Sequence, residues 1–342
     1  MKVIVAHPQQ QHSYRLATAL ERRGELGKYA TTVYMRPGSL TSVVAKFLPP
    51  FWRKKATGRH CDDLPDSDVV QFNEARGLMT LFCHNIPFAN AHYDTIRRST
   101  EDAFADKVAK LAASENADAV IGYDGCSASL FERVGQLSPR TVRIADMSAA
   151  NALYLRTVYE RDAILKPEYS DSLKGWNRIW DSVDVERTKR ELAATDAFLC
   201  GSHFVANSLS FSGISMDRCE ICHYGVDTEA FPFRERSVCN QSEPLTFVYL
   251  GQVSEHKGIS WLFEAFSKIE PAQARLICVG KVNLPESITS RLPPNIEFRG
   301  MVQHDEVSEL LLSSDVMLFP SLGDGFPLSI MEGFASGLPV VC

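Results

Sequence analysis

Short apolar runs alternate along the chain with longer segments that have helical spacing. The first run, at residues 2–6, is followed by a polar loop at 7–12 and by a helical pattern that starts at Ser13. Further apolar runs of strand length occur at residues 31–35, 119–122, 142–145, 197–200 and 220–223. Alternating strands and helices of this kind predict a parallel, doubly wound sheet that is covered on both faces.

The alternation is interrupted once and then resumes. A turn-rich polar stretch begins at Tyr224 and predicts a linker over residues 228–244, between a first domain at 1–227 and a second domain at 245–342. In the second domain the pattern predicts strands at 246–250, 275–279, 295–299, 316–319 and 339–342, and helices at 259–269, 306–312 and 328–336. The chain is therefore predicted to be an α/β protein with two Rossmann-like domains. Because nothing covers the last strand, we expect the second domain to be incomplete in this sequence.

Composition narrows the class of protein. The 342 residues are 45% apolar with a formal net charge of −6, which is ordinary for a soluble globular protein and argues against a general nucleic-acid role. No apolar run approaches the roughly 20 residues of a membrane-spanning helix, and the run at 2–6 is too short for a signal peptide. Nine scattered cysteines, an odd number, favour reduced thiols in the cytoplasm over a disulfide framework.

A phosphate-binding candidate lies at the start of the second domain. Gly251 opens a turn that joins a strand to a helix and that ends in Lys257 and Gly258. Such a turn offers backbone N–H groups, a helix dipole and a point charge to a pyrophosphate. A lysine just before a helix is more often simply solvated, so both interpretations stay open on this segment alone.

Two carboxylates near the end of the chain, Asp324 and Glu332, are eight positions apart. Pro327 suits the first helical position and Gly337 suits the helix end, so one carboxylate is predicted in a loop and the other within the helix. Both carboxylates could then contact one ligand that carries hydroxyls and phosphates, which favours a nucleotide-sugar site. An acid–base couple is the alternative for this pair.

At this point the sequence resembles a known family. The segments 251–258, 295–302, 314–321 and 324–341 resemble, in order, the second domain of retaining glycosyltransferases of the GT-B fold, the group 1 or family 4 type with a Glu-x7-Glu motif. Residues 195–202 and 224–227 resemble that family's interdomain entry, and the resemblance is faint before about residue 192. It implies two domains that face each other across a cleft. It also implies sugar transfer from a nucleotide-diphosphate sugar to a hydroxyl acceptor, a glycan or a lipid-linked one, with retention, no cofactor and no obligatory metal.

The resemblance assigns roles residue by residue. Glu332 matches the glutamate that holds the ribose diol of the donor, and Lys257 matches the lysine that neutralises the pyrophosphate. Asp324 matches the first motif carboxylate, expected near the donor sugar, with a side chain one methylene shorter than the usual glutamate. The other donor-binding positions are Gly251, Gln252, Gly325, Phe326 and Leu328.

One of these positions departs from the family. Gln252 stands where an arginine is usual, and glutamine supplies hydrogen bonds but no charge. Together with the short Asp324, it motivates the alternative of a nucleotide-sugar-binding protein with little or no turnover. A sugar-nucleotide epimerase on the same fold has no supporting residue.

The first domain supplies three further candidates. Asp146 follows a strand roughly where many relatives have a histidine facing the donor sugar, and we predict a catalytic role there. Gln11 and His12, in the loop after the first strand, are predicted to line the acceptor side of the cleft. The alternatives are a simple loop residue at 146 and a solvated loop with a helix cap at Ser13.

Residues 43–60 combine large apolar and basic side chains within an acidic protein. The residues that suit contact with an anionic membrane surface are Phe47, Phe51, Trp52, Arg53, Lys54 and Lys55. Peripheral attachment to the inner face of the membrane and packing of these aromatics onto the first domain are equally good interpretations of this pattern.

Cys219-Glu-Ile-Cys222-His223 has the spacing of a haem attachment site or half a zinc site. It has no second ligand pair with metal spacing, so no metal site is predicted here. We predict instead a short buried strand in which the cysteines act as small apolar residues.

Overall fold

The computed structural model describes residues 1–10, 12–174, 177–235 and 244–342. By its internal contacts the chain divides into two compact units. Unit 1 comprises Met1–Ser148, Val183–Cys200 and Ile214–Glu220, and unit 2 comprises Ala149–Ser182, Gly201–Gly213 and Ile221–Cys342.

The first sheet has the predicted parallel arrangement. Its strands are β1 (Val3–Ala6), β2 (Leu26–Thr31), β3 (Val69–Gln71), β4 (Ala119–Tyr123), β5 (Val142–Met147), β6 (Ala197–Cys200) and β7 (Cys219–Ile221). Their order is β3-β2-β1-β4-β5-β6-β7, and the pairs from β3 to β6 are parallel. All residues of β1 are buried, as expected for a central strand that helices cover on both faces.

Helices connect these strands. In chain order they are α1 (Ser13–Arg22), α2 (Leu40–Phe47), α3 (Pro50–Thr57), α4 (Glu74–Asn85), α5 (Tyr93–Ser114), α6 (Ala128–Leu137), α7 (Ala152–Leu165), α8 (Asn177–Trp180), α9 (Ser182–Ala194) and α10 (His203–Ser210). Helices α7, α8 and α10 belong to unit 2.

Two strand predictions in this part were wrong. The strand predicted at 31–35 lies earlier, at Leu26–Thr31, and the short β3 was not predicted. Gly27 and Lys28 weaken the apolar pattern of β2, whereas Val33 and Tyr34 are almost completely buried although they lie beyond the strand. Apolar periodicity reports burial, and here burial continues past the hydrogen-bonded segment.

The second sheet follows the predicted pattern closely. Its strands are β8 (Leu245–Leu250), β9 (Ala274–Val279), β10 (Ile296–Gly300), β11 (Val316–Leu318) and β12 (Val340–Val341), and its helices are α11 (Ile259–Phe266), α12 (Glu286–Thr289), α13 (His304–Ser313) and α14 (Leu328–Ala335). The order β10-β9-β8-β11-β12 is parallel throughout. Only the short α12 was missed.

Alternate residues of β8 belong to two different hydrophobic cores, one on each face of the sheet. Val248 and Leu250 pack with β9 and β11 residues on one face, whereas Tyr249 packs with α11 on the other. Successive strand residues point to opposite faces, so the sheet is covered on both sides as a doubly wound fold requires.

Unit 2 takes in residues that the sequence pattern placed in the first domain. Residues 149–182 and 201–213 belong to unit 2, although they come before the predicted linker at 228–244. Two side-chain contacts tie α7 to α11: Trp261 Nε1 donates to Asp162 Oδ1 at 2.8 Å, and Lys166 pairs with Glu264. Residues 236–243 of the predicted linker lie outside the described residues.

Candidate functional site

The turn after β8 is built on glycine. Residues Glu255–Lys257 form a short 3-10 turn, and Gly258 follows with φ +67° at the start of α11. A Cβ at Gly258 would lie 1.9 Å from the carbonyl oxygen of Pro320. Only glycine adopts this conformation without strain and allows this approach, so the turn and the 320–324 loop pack backbone against backbone.

The same two segments bring Lys257 and Asp324 together. Lys257 Nζ lies 2.6 and 2.5 Å from the two carboxylate oxygens of Asp324. The side chains are 17% and 27% exposed, so a ligand can reach both from solvent. Leu322 N, which donates to the carbonyl of His256 at 3.2 Å, fixes the loop beside the turn. Two of the predicted catalytic residues therefore form one ion pair.

The sequence analysis missed His256, the neighbour of Lys257. Its ring is buried, and its Nδ1 lies 2.8 Å from Ser254 Oγ. Burial and the adjacent charge of Lys257 together lower the pKa of His256 to about 4. His256 is therefore neutral near pH 7, and the positive charge of the turn belongs to Lys257.

The Phe326 ring is held by two aromatic side chains. Its ring stacks on His223, with centroids 5.4 Å apart, and meets Tyr224 edge-on at 5.6 Å. The preceding Gly325 carbonyl accepts a hydrogen bond from Ser202 Oγ at 2.5 Å. No local pattern indicates these partners, which lie more than 100 residues earlier in the chain.

Helix α14 starts at Leu328, where the helical pattern was predicted to begin. Pro327 precedes the helix rather than occupying its first position, and Leu328 is the first helical residue. Glu332 lies four positions after Leu328, on the same helix face and partly exposed, and Leu328 is 41% exposed. Gly337, at φ +77°, follows the helix end as predicted.

The Cys219–His223 segment is a strand only in part. β7 ends at Ile221, its residues are only partly buried or exposed, and Cys222 is exposed, so the predicted buried strand was wrong in its burial and in its end. His223 Nδ1 lies 2.9 Å from the carbonyl oxygen of Gly201. Within the described residues no cluster of three or more metal-ligating side chains occurs.

Helix α7 contributes residues that the sequence analysis did not identify. Leu155 packs on Gly323, where a Cβ would lie 2.2 Å from Leu155 Cδ2. Tyr159 is almost completely buried, and burial raises its pKa, as does the nearby charge of Asp324. Both positions fit an ordinary apolar helix face, so no signal in the sequence distinguished them from core residues.

In unit 1, Asp146 and His12 are in contact. His12 Nε2 lies 3.0 Å from Asp146 Oδ2, and Asp146 is only 6% exposed. The Tyr123 ring stands 5.2 Å from His12 and 4.9 Å from His7. These residues follow or end β1, β4 and β5, at the carboxyl edge where parallel sheets bind ligands. Gln11, predicted beside His12, lies outside the described residues.

Ser13 does not cap helix α1. Its hydroxyl lies 2.9 Å from Tyr29 Oη instead, and His12 precedes the helix without a side-chain cap. The alternative of a solvated loop with a serine cap was therefore wrong.

The α2–α3 surface, formed by Phe47, Phe51, Trp52, Lys54 and Lys55, is largely exposed. Phe47 and Phe51 are 84% and 63% exposed, and helix α3 has no buried residue. Lys55 Nζ lies 4.8 Å from the Phe51 ring centre and 4.9 Å from that of Trp52. Arg53, predicted to belong to the same surface, donates to carbonyls of Ala45, Lys46 and Leu48 and so closes the α2–α3 hairpin. Among the described helices, none has the length and apolarity needed to cross a bilayer.

Residues 244–342 match the family model described as Glycosyl transferases group 1. Similar curated proteins include an uncharacterized glycosyltransferase of Methanocaldococcus jannaschii (29% identical over 33% of this chain and 30% of that protein) and the sulfoquinovosyl transferase SQD2 of Arabidopsis thaliana (29% identical over 43% and 30%). A putative colanic acid biosynthesis glycosyltransferase, WcaL of Salmonella typhimurium, is 30% identical over 43% of this chain and 39% of its own length. The matched region thus spans 30 to 39% of the length of these relatives.

Solved structures resemble the whole chain in fold. Sucrose-phosphate synthase from Thermosynechococcus elongatus superposes with a TM-score of 0.60 at 14% identity, over 99% of this chain and 80% of that one. The lipopolysaccharide outer core galactosyltransferase WaaB gives 0.57 at 12% identity over 99% and 80%. HepE of Anabaena in complex with UDP-glucose gives 0.51 at 14% identity over 99% and 79%. The predicted α/β, GT-B-like fold with two parallel sheets is confirmed.

Proposed function

We propose that this protein is a glycosyltransferase that moves a sugar from a nucleotide-diphosphate sugar to a hydroxyl acceptor. The observation that carries the proposal is the Lys257–Asp324 pair, which stands at a strand-to-helix turn inside the region that matches the group 1 family. SQD2 is described as a sulfoquinovosyl transferase and WcaL as a putative colanic acid biosynthesis glycosyltransferase, and HepE has been crystallised with UDP-glucose, which supports a donor of this class.

The donor diphosphate would lie over the turn 251–258. The ammonium of Lys257 supplies positive charge there, and negative charge grows on the diphosphate as it leaves. Gly251 and Gln252 would contact the diphosphate through backbone and amide groups, without the second cation usual in the family. This charge supports a reaction that proceeds with no obligatory metal ion and no cofactor.

Asp324 would hold hydroxyls of the donor sugar once the diphosphate draws Lys257 away. Gly325 and Leu328 would offer main-chain groups to the same ligand. Phe326 would fix the conformation of this loop through its stacking on His223. Asp146 and His12 would act on the sugar and the acceptor as a hydrogen-bonded pair. Retention of the anomeric configuration is proposed from the resemblance of the motif region to retaining enzymes.

Glu332 is expected to hold the ribose diol of the donor. Replacing it with alanine removes an acceptor for two vicinal hydroxyls, so we expect donor affinity to fall by about 1–3 kcal/mol. Isothermal titration of the nucleoside diphosphate, with Glu309→Ala as an exposed glutamate control on α13, measures this loss. Equal affinity of Glu332→Ala and the control would remove Glu332 from the donor site.

A nucleotide-sugar-binding protein with little turnover is the second candidate function. The uncharged Gln252 and the short Asp324 favour it. Binding and transfer are measured separately with UDP-, GDP- and ADP-sugars on the complete protein. Tight binding of one donor without hydrolysis or transfer would support this candidate against the enzyme.

We further propose that the α2–α3 surface attaches the protein to anionic lipid at the cytoplasmic face of a membrane, close to a lipid-linked acceptor. Each basic side chain near such a surface contributes about 1 kcal/mol, so Lys54→Ser with Lys55→Ser should weaken vesicle binding roughly thirtyfold. Co-sedimentation with phosphatidylglycerol vesicles measures the effect, and Phe51→Ser is expected to weaken binding as well.

Two controls test whether vesicle binding depends on this surface in particular or on exposed charge and apolar side chains in general. Lys107→Ser with Lys110→Ser removes two exposed lysines from α5, and Ile164→Ser removes an apolar side chain that is 80% exposed on α7. Equal losses in these controls and in the α2–α3 variants would contradict the membrane proposal.

A further inference from the structure

Helix α7 contacts both segments that hold the Lys257–Asp324 pair. Leu155 and Tyr159 lie against Gly323 and near Asp324, as described above. One turn further on, Asp162 meets the turn after β8 and the start of α11. Helix α7 therefore sets the spacing between the turn that carries Lys257 and the loop that carries Asp324.

Glu255 is the contact residue on the turn, and it is completely buried. Its Oε2 accepts from Ser260 N at 3.1 Å and its Oε1 from Ser260 Oγ at 2.5 Å, so it caps the first turn of α11. Its own N–H donates to Ser172 Oγ at 2.9 Å. The carboxyl group is thereby fixed between the turn, α11 and the segment 167–173.

Asp162 faces Glu255 from α7 and is only 4% exposed. Its Oδ1 accepts from Trp261 Nε1 at 2.8 Å. Among the described residues no amide, hydroxyl or ammonium group donates to its buried Oδ2. The buried carboxyl groups of Glu255 and Asp162 are close enough to interact, and two carboxyl groups can form a hydrogen bond only when one of them carries a proton.

We propose that Asp162 and Glu255 are positioning residues, and that one proton held between their carboxyl groups ties helix α7 to the turn that carries Lys257. The role assigned to Lys257 rests on the proposed function, whereas the shared proton does not. Without that proton two buried carboxylates would repel each other, and the turn would separate from α7.

The surroundings favour the protonated form. Burial, together with Asp162, raises the pKa of Glu255 to about 8, although the bonds from Ser260 oppose the shift. Tyr169, from the segment 167–173, is a further titratable group near Glu255, and burial raises the pKa of Tyr169. His256 and Lys257 follow Glu255 on the turn, and Lys166 Nζ stands 4.0 Å from the centre of the Trp261 ring.

The sign of the pH effect follows from these shifts. The ordinary pKa of a glutamate is about 4.3, so the folded protein keeps a proton that the unfolded chain has lost. The stabilisation from the pair is complete below about pH 4 and declines as the pH rises through 8. The turn that carries Lys257 is expected to become less firmly held against α7 over the alkaline part of that range.

The test compares wild type with Glu255→Gln between pH 6 and pH 9. The amide of glutamine donates to Asp162 at every pH, so it replaces the shared proton. We expect the donor Kd of the wild type to rise about fivefold or more between pH 7 and pH 9, and that of Glu255→Gln to stay constant. Glu270→Gln, at an exposed position shortly after α11, serves as control and should follow the wild type. Asp162→Ala and Glu255→Ala should weaken donor binding at all pH values, and the double variant no more than either alone.

A spectroscopic measurement separates this proposal from the proposed function. The indole ¹⁵N–H signal of Trp261, assigned with Trp261→Phe, should shift with pH in the wild type and stay fixed in Glu255→Gln. This result would support the shared proton even if no nucleotide sugar bound. A flat Trp261 signal in the wild type, or the same titration in Glu255→Gln, would overturn the proposal.

Discussion

Replacing Lys257 with methionine is expected to lower kcat for sugar transfer by about 10²- to 10³-fold, the usual effect of removing one group that stabilises a leaving oxyanion. Methionine keeps the length of the side chain and removes its charge. Because Gln252 supplies no second cation, the loss should fall on kcat as well as on KM for the donor. Steady-state kinetics measure both constants, with the donor identified by binding of UDP-, GDP- and ADP-sugars.

Two further variants show whether the charge acts on the donor or only on Asp324. Lys257→Met combined with Asp324→Asn removes both charges of the pair, so it would recover activity if Lys257 served merely to neutralise that carboxylate. We expect no recovery. Lys268→Met, which removes an exposed lysine just after α11, is the control and should leave kcat within about twofold. Full activity of Lys257→Met would contradict the role of Lys257.

Gly258→Ala is expected to destabilise the protein by about 2–5 kcal/mol. A left-handed conformation at alanine costs about 1–2 kcal/mol, and the new methyl group would meet the Pro320 carbonyl, which adds roughly 1–3 kcal/mol of packing strain. Since that contact joins the turn to the 320–324 loop, donor affinity should fall with stability. The midpoint of urea unfolding and donor titration measure the two effects.

Gly300 offers a matched control for this change. It has nearly the same backbone conformation, with φ +68°, and no atom would lie within 4 Å of its Cβ. Gly300→Ala should therefore destabilise the protein only by the cost of the left-handed backbone conformation, about 1–2 kcal/mol. Equal destabilisation by the two alanine substitutions would mean that the approach to Pro320 contributes nothing.

The second sheet was predictable because its signals are local. Strands β8 and β9 each contain a run of four apolar residues, and the pattern of Ile259, Leu262 and Phe263 places one face of α11 in the core. The turn glycines and Lys257 follow one another directly in the sequence. The same reasoning failed for β2, whose apolar pattern is interrupted by Gly27 and Lys28.

The environment of the site was not predictable, because its contacts join distant parts of the chain. Asp162 and Trp261 are 99 positions apart, and Ser202 and Gly325 are 123 apart. Tyr159, Asp162 and His223 carry no local mark that separates them from ordinary helix or loop residues. Only the three-dimensional packing shows that Phe326 is an anchored residue and that Glu255 is half of an acid pair.

The composition of unit 2 from separate stretches of chain affects how the protein is made. A ribosome adds about 5–20 residues per second, so α7 leaves it roughly 5–20 s before the turn and helix that cover Asp162. During that interval α7 can already pack on Leu173 and Ile179 of its own segment, but its contacts with the turn after β8 and with α11 are missing. The side of α7 that carries Asp162 therefore stays without its native cover until residues beyond 250 arrive, and this interval is a stage of synthesis exposed to misfolding and to capture by chaperones.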